Sequence, residues 1–268
     1  MKGARKTAAL ISMLLVAAAI AGCDVLQDHF IYFPDHIRPS AGALTARGLT
    51  VWMASGDDYR GLVSAPESDA PAGTVIVFHG NAGKAADRGF YAKMLVPLNY
   101  RVILAEYPGY GGRPGSRGED QFVKDARLTV EAAFAKYGAP LYLLGESLGC
   151  GVVAAVAGGS PVPVEGIVLF TPWDDLLSVA ASHAPAFIAR IVLKDRYDSV
   201  ANLANYAGKT AIIGAERDDI IPVVHAEALY ASIPGRKRMW TIKGAGHNDW
   251  PMLASGAMFR EIMDFVSR

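Results

Sequence analysis

The chain is predicted to fold as an α/β protein, with a mostly parallel sheet of about eight strands and helices on both faces. Two observations support this prediction. Short apolar runs alternate with helical patterns along the chain, as in sheets whose parallel strands are joined by crossover helices. At 268 residues and 51% hydrophobic content, the chain can also bury one large core. Because such sheets place their chemistry at the carboxyl ends of the strands, functional residues are expected in the loops that follow them.

The predicted strands are short and are separated by turn residues. Alternating hydrophobicity predicts two early strands, at 49–54 and 59–64, which the turn Ser55-Gly56-Asp57-Asp58 joins. Continuous apolar runs predict strands that are buried on both faces. These buried strands are expected at 74–78, 102–105, 141–144, 167–170, 211–213 and 238–242.

Helical patterns occupy the segments between the buried strands. Residues 119–137 are the clearest case, because their apolar side chains recur on one helical face. The other helices are expected at 87–97, from 148 to about 158, at 223–233 and at 252–266.

The motif Gly145-Glu146-Ser147-Leu148-Gly149 is the most informative feature of the sequence. It follows the apolar run at 141–144 and precedes a stretch of small residues, which predicts a strand, a sharp turn and a helix. A G-x-S-x-G motif in this setting is typical of a nucleophile elbow, where a serine hydroxyl is held at the end of a strand. The helix that begins there favours negative charge near the hydroxyl. Ser147 is therefore the candidate nucleophile.

A serine nucleophile needs a base, and the base needs an acid that orients it. His247 is the candidate base, because it lies in the loop between the last strand and the last helix. The acid is expected after the preceding strand, where Asp218 and Asp219 compete. The pattern D-x-[IV]-[IV]-P favours Asp218. Asp219 is then expected to cap the helix that follows Pro222.

The tetrahedral intermediate of acyl transfer needs amide donors that face its oxyanion. The backbone N–H of Leu148, directly after the nucleophile, is one candidate. The second is expected in the loop at 79–83, where we select the backbone N–H of Asn81. His79 is expected to brace this loop, because no second metal-type residue lies at ligand spacing.

Composition argues against several other kinds of protein. The 26 basic and 26 acidic residues balance, so nucleic acid is not expected as a partner. No Cys/His cluster has metal-ligand spacing, and neither a metal nor an organic cofactor is expected. Cys150, one residue past the elbow, is expected to be a buried and inert thiol. We expect a monomer.

The first 22 residues are predicted to be a signal peptide. Basic residues precede an apolar stretch at 7–21, which is short for a membrane-spanning helix. Ile20-Ala21-Gly22-Cys23 then resembles the bacterial lipobox, in which the cysteine becomes the lipidated first residue of the mature protein. Ordinary cleavage near Ala21 is the alternative. Asp24 resembles the aspartate that retains lipoproteins in the inner membrane of enteric-type bacteria, which implies an anchored protein facing the periplasm.

Taken together, the motifs resemble the α/β-hydrolase superfamily, and within it the Bem46-like group, which includes the ABHD13 and ABHD17 types. This resemblance implies a cofactor-free serine hydrolase with a Ser–Asp–His triad, and some members of the group remove acyl chains from proteins. The chain departs from the group at Lys84, Arg113 and Ala215, outside the triad. The segments that carry the resemblance lie in order between about residues 30 and 265: His79–Gly83, Tyr107–Gly111, the elbow, Lys194–Ser199, Asp218–Pro222 and Gly246–Asp249.

Three regions are predicted: a lipoprotein signal peptide at 1–22, an anchor and leader segment at 23–48, and an α/β-hydrolase domain at 49–268. Residues 171–209 either roof an acyl pocket or simply pack on the core, and any cap is small. The candidate pocket residues are Tyr110, Trp173 and Trp250.

The function predicted from these features is cleavage of small carboxylic esters or thioesters, with an acylated protein as a further candidate substrate. A peptidase or amidase with the same triad is the first alternative. A non-catalytic envelope lipoprotein is the second, although a scaffold has no use for an intact triad.

Overall fold

The computed structural model describes residues 27–268, and its centre is a sheet of eight strands. A separate pair of short strands lies beside this sheet. In chain order the ten strands are β1 (Phe33–Pro34), β2 (Thr50–Met53), β3 (Tyr59–Ser64), β4 (Gly73–Phe78), β5 (Ala82–Gly83), β6 (Tyr100–Ala105), β7 (Leu141–Glu146), β8 (Gly166–Phe170), β9 (Lys209–Ala215) and β10 (Lys237–Ile242).

The large sheet has the order β10-β9-β8-β7-β4-β6-β3-β2. Only the two pairings of β3, with β2 and with β6, are antiparallel, so the predicted mostly parallel sheet is confirmed. The register brings the end of β4 beside the end of β7, where Phe78 pairs with Gly145. Ala215 at the end of β9 pairs with Ile242 at the end of β10. The loops that follow these strands therefore emerge at the same edge of the sheet.

The predicted helices agree with the structure except at 87–97 and 252–266. The predicted helix at 87–97 is instead a 3₁₀ turn at Ala85–Arg88, the helix Gly89–Leu95 and a second 3₁₀ turn at Val96–Leu98, since Pro97 lacks the N–H that would continue the helix. The predicted helix at 252–266 is two helices, because Ala254 is extended and the Ser255 hydroxyl caps a new start. Residues 27–31 are helical, and the helices with both ends among the described residues are Ala41–Thr45, Gly89–Leu95, Glu119–Tyr137, Leu148–Ala157, Leu176–His183, Ala186–Val192, Ser199–Leu203, Val223–Ser232, Trp250–Leu253 and Gly256–Ser267.

Helices cover both faces of the sheet, as predicted. On one face, Ile76 of β4 packs in a buried cluster with Val130 and Val153 from the helices Glu119–Tyr137 and Leu148–Ala157. On the other face, Val77 packs in a cluster with Ile262 from the last helix. Strands of this parallel sheet are apolar on both sides because neither side meets water.

Residues 27–48, which belong to the predicted leader, pack on the sheet and its loops. Tyr32 is buried in the core, and β1 pairs in parallel with β5 in the loop after β4. The predicted signal peptide, Cys23 and Asp24 lie outside the described residues, and the domain boundary at residue 49 stays a prediction. None of the helices within 27–268 is long and apolar enough to span a bilayer.

Candidate active site

The elbow places Ser147 between β7 and the helix Leu148–Ala157. Its φ of 52° is unfavourable for a residue with a side chain, and such strain commonly occurs at functional sites. The flanking glycines leave no room for a Cβ atom. A Cβ on Gly149 would stand 2.0 Å from the carbonyl oxygen of Phe78, and one on Gly145 would stand 2.6 Å from that of Gly149. The two glycines therefore allow the tight turn that holds Ser147 at the sheet edge.

The structure brings together Ser147, His247 and Asp218. The Ser147 Oγ atom lies 3.0 Å from Nε2 of His247, and Nδ1 of His247 lies 2.7 Å from Oδ2 of Asp218. Ser147 and Asp218 are each 8% exposed, so most of the site is shielded from water while the hydroxyl remains reachable. This geometry lets His247 accept the serine proton while Asp218 orients the ring.

Asp218 and Asp219 differ sharply in their surroundings. The Oδ1 atom of Asp218 accepts hydrogen bonds from the backbone N–H groups of Ile220 and Ile221, at 3.0 and 2.7 Å, which leaves Oδ2 directed at His247. Asp219 is exposed. The expectation that it caps the next helix is wrong, because Pro222 occupies the capping position and the helix Val223–Ser232 has no side-chain cap.

The two residues predicted to supply oxyanion donors line the same cavity as Ser147. Leu148 is the first residue of its helix, where a backbone N–H has no intrahelical acceptor. Asn81 is held from three directions: its carbonyl oxygen accepts from the Phe33 N–H at 3.0 Å and the Tyr110 hydroxyl at 2.7 Å, and its side-chain amide donates to the Ile31 carbonyl at 2.9 Å. None of these three contacts uses the backbone N–H of Asn81.

His79 is buried beneath the Asn81 loop and braces it. Its Nδ1 atom donates to the Gly80 carbonyl at 2.7 Å, and its Nε2 atom lies 3.1 Å from Oε1 of Glu106. Both Glu106 oxygens also accept from the backbone N–H of Ala85, on the far side of the loop. The contacts of His79 are therefore structural.

A cavity of about 790 Å³ opens above Ser147, a volume typical of small-ligand sites. The candidate pocket residues Trp173 and Trp250 are among the residues that line it. Tyr110 does not: it is fully buried, and its hydroxyl binds the Asn81 carbonyl, so it supports the loop from behind. Leu176 and Val179 of the helix Leu176–His183 also line the cavity, so part of residues 171–209 forms a wall of the site.

One ion pair in the cavity wall was not predicted from the sequence. Glu146, directly before the nucleophile, accepts two hydrogen bonds at Oε1 from Arg88, at 2.9 and 3.1 Å, and one at Oε2 from the Tyr91 hydroxyl, at 3.1 Å. Glu146 and Arg88 line the cavity. The second position of a G-x-S-x-G motif can hold any residue, so the motif does not reveal this pairing.

A second Ser–His–Asp arrangement joins two helices away from the elbow. His225 lies 2.8 Å from Oδ1 of Asp174 and 3.0 Å from the Ser182 hydroxyl. That hydroxyl is also 3.2 Å from the Ser178 carbonyl, which competes for its single hydrogen. Ser182 lies within the helix Leu176–His183, whose amides at this depth are already bonded, so no oxyanion donor follows it. This arrangement ties the cavity-wall helix to the helix Val223–Ser232.

Cys150 has the surroundings expected of an inert thiol. It is 1% exposed, and its thiol donates to the Phe170 carbonyl at 3.2 Å. Burial raises the pKa of the Cys150 thiol well above its usual range, so it stays protonated near neutral pH.

Several known proteins are similar to this chain. Residues 69–194 match the family described as Hydrolase_4, serine aminopeptidase, S33. An uncharacterized protein of Mycobacterium tuberculosis, Rv2307c, is 34% identical over 90% of this chain and 87% of its own length. Alpha/beta hydrolase domain-containing protein 17C of Xenopus tropicalis is 26% identical over 72% of this chain and 61% of its own length. A Pyrococcus furiosus esterase structure, PF2001, superposes with a TM-score of 0.68 at 14% identity, covering 87% of this chain and 97% of its own.

Proposed function

Since the chain belongs to the α/β-hydrolase superfamily, we propose that it is a serine hydrolase that cleaves carboxylic esters or thioesters through an acyl-enzyme. The observation that carries this proposal is the hydrogen-bonded series Ser147–His247–Asp218, whose serine and histidine line a cavity. The wider superfamily shares the fold among many activities, so the site and not the fold supports the chemistry.

The geometry supports a two-stage acyl transfer. His247 takes the hydroxyl proton as Ser147 attacks the acyl carbon, and the backbone N–H groups of Leu148 and Asn81 stabilise the oxyanion. His247 then gives the proton to the leaving alcohol or thiol, which departs. Water attacks the acyl-enzyme with the same base, and the free acid leaves with Ser147 restored.

A fluorophosphonate probe tests this proposal directly. We expect the probe to form one covalent adduct, and peptide mapping by mass spectrometry should place it on Ser147. The second serine with a histidine neighbour, Ser182, should remain unmodified, because it has no oxyanion donors. An adduct on Ser182, or no adduct at all, would contradict the proposed chemistry.

An aminopeptidase is the second candidate, because the matched family carries that description. An aminopeptidase needs an anionic group that binds the substrate ammonium. Of the two carboxylates that line the cavity in the described part of the chain, Glu146 is paired with the Arg88 guanidinium and accepts from Tyr91, whereas Asp87 accepts from the Lys84 N–H at 3.0 Å. The charge of Glu146 is already balanced, so a substrate ammonium would have to bind at Asp87. Faster turnover of amino acid p-nitroanilides than of p-nitrophenyl esters would favour the aminopeptidase.

The ester activity is expected to depend on acyl length. Each buried methylene contributes at most about 0.8 kcal/mol, and the cavity is open and shared with the leaving group. Turnover of p-nitrophenyl esters should rise from acetate to butyrate or hexanoate and fall by dodecanoate, and monomeric substrate should be hydrolysed without activation by a lipid interface. Initial rates across the series measure this. A sharp rise above the critical micelle concentration, with preference for long chains, would indicate a true lipase.

We further propose that Cys23 anchors the protein in the cell envelope, at the inner membrane facing the periplasm. Cys23→Ser should abolish incorporation of labelled palmitate and leave an uncleaved or differently processed protein. Metabolic labelling in the native host measures this, with Cys150→Ser as the matched control, since Cys150 is buried. Absence of label in the wild-type protein would instead support ordinary cleavage near Ala21.

A further inference from the structure

Large apolar side chains are exposed on the segments that surround the cavity. We define the apolar rim as Phe30, Phe33, Phe187, Ile191, Ile220 and Met252. The exposed fractions reach 67% at Phe187, 68% at Ile191 and 81% at Met252. Exposed apolar residues that occur singly are normal, but a grouped set marks an interaction surface.

Each member of the apolar rim lines the cavity or belongs to a segment that adjoins its wall. Phe30, Phe33 and Ile220 line the cavity while remaining exposed. Met252 directly follows Pro251, which lines it. Phe187 and Ile191 lie on the helix Ala186–Val192, which packs on the cavity-wall helix Leu176–His183.

The first described residue is fixed next to this rim. The side-chain oxygen of Gln27 accepts from the N–H groups of Lys194 and Asp195 at 2.6 and 2.8 Å, and its amide nitrogen donates to the Asp195 carboxylate at 2.8 Å. Lys194 lies two residues past the helix Ala186–Val192. The described part of the chain therefore begins beside the end of the helix that carries Phe187 and Ile191.

The distance from this point to the proposed lipid is short. Cys23 precedes Gln27 by four residues, which span at most roughly 14 Å when fully extended. Two further contacts fix residues 28–32 on the domain: Asp28 forms an ion pair with Arg117, and the Tyr32 hydroxyl donates to the Asp195 carboxylate. A lipid on Cys23 would thus hold the apolar rim close to the membrane surface.

We propose that the apolar rim docks on the lipid bilayer, so that the cavity opens toward the membrane and takes acyl substrates that reside there. This proposal rests on the proposed lipid anchor and hydrolase function. The short anchor favours a bilayer over a second copy of the chain as the occupant, because it limits how far the rim can lie from the lipid surface. Aromatic and aliphatic side chains at such an interface insert among lipid headgroups.

Fluorescence quenching in vesicles tests the docking without relying on catalysis. Phe187→Cys and Met252→Cys are made in the full chain, labelled with an environment-sensitive dye and reconstituted in phosphatidylethanolamine and phosphatidylglycerol vesicles that contain doxyl lipid. Cys150 is 1% exposed and does not react, and the unsubstituted chain gives the background. The matched control is Leu128→Cys, since Leu128 is 44% exposed on the helix Glu119–Tyr137.

We expect quenching by doxyl lipid to be several times stronger at 187 and 252 than at 128. Equal quenching at all three positions would overturn the proposal. Dye–dye quenching that persists without doxyl lipid would also overturn it, because a second copy would then cover the rim. Fluorophosphonate labelling of the same samples separates the docking hypothesis from the hydrolase hypothesis. A protein that reacts with the fluorophosphonate but shows no quenching by doxyl lipid refutes the docking alone. A protein that is quenched but does not react with the fluorophosphonate refutes the hydrolase function alone.

A kinetic comparison adds a second readout. Phe187→Glu and Ile191→Glu should slow hydrolysis of a vesicle-borne butyrate ester at least tenfold and leave hydrolysis of soluble p-nitrophenyl butyrate unchanged, because neither residue lines the cavity. Leu128→Glu should change neither rate. Equal rates of the rim variants and the Leu128 variant on vesicles would contradict the docking.

Discussion

Ser147→Ala is expected to lower kcat/KM for p-nitrophenyl butyrate by about a thousandfold or more, which corresponds to about 4 kcal/mol of lost transition-state stabilisation. The variant keeps His247 and the oxyanion donors but has no nucleophile, and residues that act as a unit lose most of their effect when one is removed. Steady-state rates and fluorophosphonate labelling measure the loss. The substitution removes one oxygen atom at a site that is 8% exposed, so the fold should be retained.

Ser182→Ala is the matched control for this experiment. Ser182 also has a histidine at 3.0 Å and an aspartate behind it, yet it lies within a helix. Its loss should leave kcat/KM within about twofold and reduce only the contact between two helices, since surface substitutions of this kind are usually mild. If the Ser147 variant still reacted with the fluorophosphonate and the Ser182 variant did not, the active site would be the Ser182–His225–Asp174 arrangement instead.

Asp218→Asn is expected to lower kcat by about ten-thousandfold, because the amide group favours the wrong tautomer of His247 and removes the charge that stabilises the imidazolium. The asparagine oxygen can still accept from the N–H groups of Ile220 and Ile221, so the loop should keep its conformation. The rate with p-nitrophenyl butyrate and the melting temperature, measured together, separate a catalytic effect from a folding effect.

Asp219→Asn is the control for the neighbouring acid. Asp219 is exposed and makes none of the contacts found at Asp218, so the expected change in kcat is less than about twofold. If Asp219→Asn instead caused the larger loss, the acid would be one residue away from the position that the hydrogen bonds indicate.

Much of the fold was predictable because its elements have strong local patterns. The apolar run at 74–78 is buried on both faces of the sheet, and the helix predicted at 119–137 has those bounds in the structure. The helical segments near Pro97 and Ser255 were less predictable. In both segments the helical spacing of apolar residues continues past the point where the helix ends. A 3₁₀ turn ends the helix near Pro97, and a new N-cap at Ser255 divides the other segment into two helices.

The candidate site was predictable where chain order and motif define it. Ser147 lies at a turn that its flanking glycines require, and the loops with Asp218 and His247 follow paired strands, so three local patterns converge. Tyr110 was placed in the pocket on the same reasoning, and this was wrong. A loop position near the site does not reveal which way a side chain faces, and the Tyr110 ring packs into the core.

The sequence by itself determined the sheet, the elbow and the candidate triad, because periodicity and turn chemistry act over a few residues at a time. Only the tertiary structure decided how the leader sits on the Asn81 loop, how Arg88 pairs with Glu146, and how Gln27 binds Asp195, 168 residues away in the chain. Such contacts depend on the packing of whole elements, and a hydrogen bond between distant polar side chains leaves no repeating pattern in either segment.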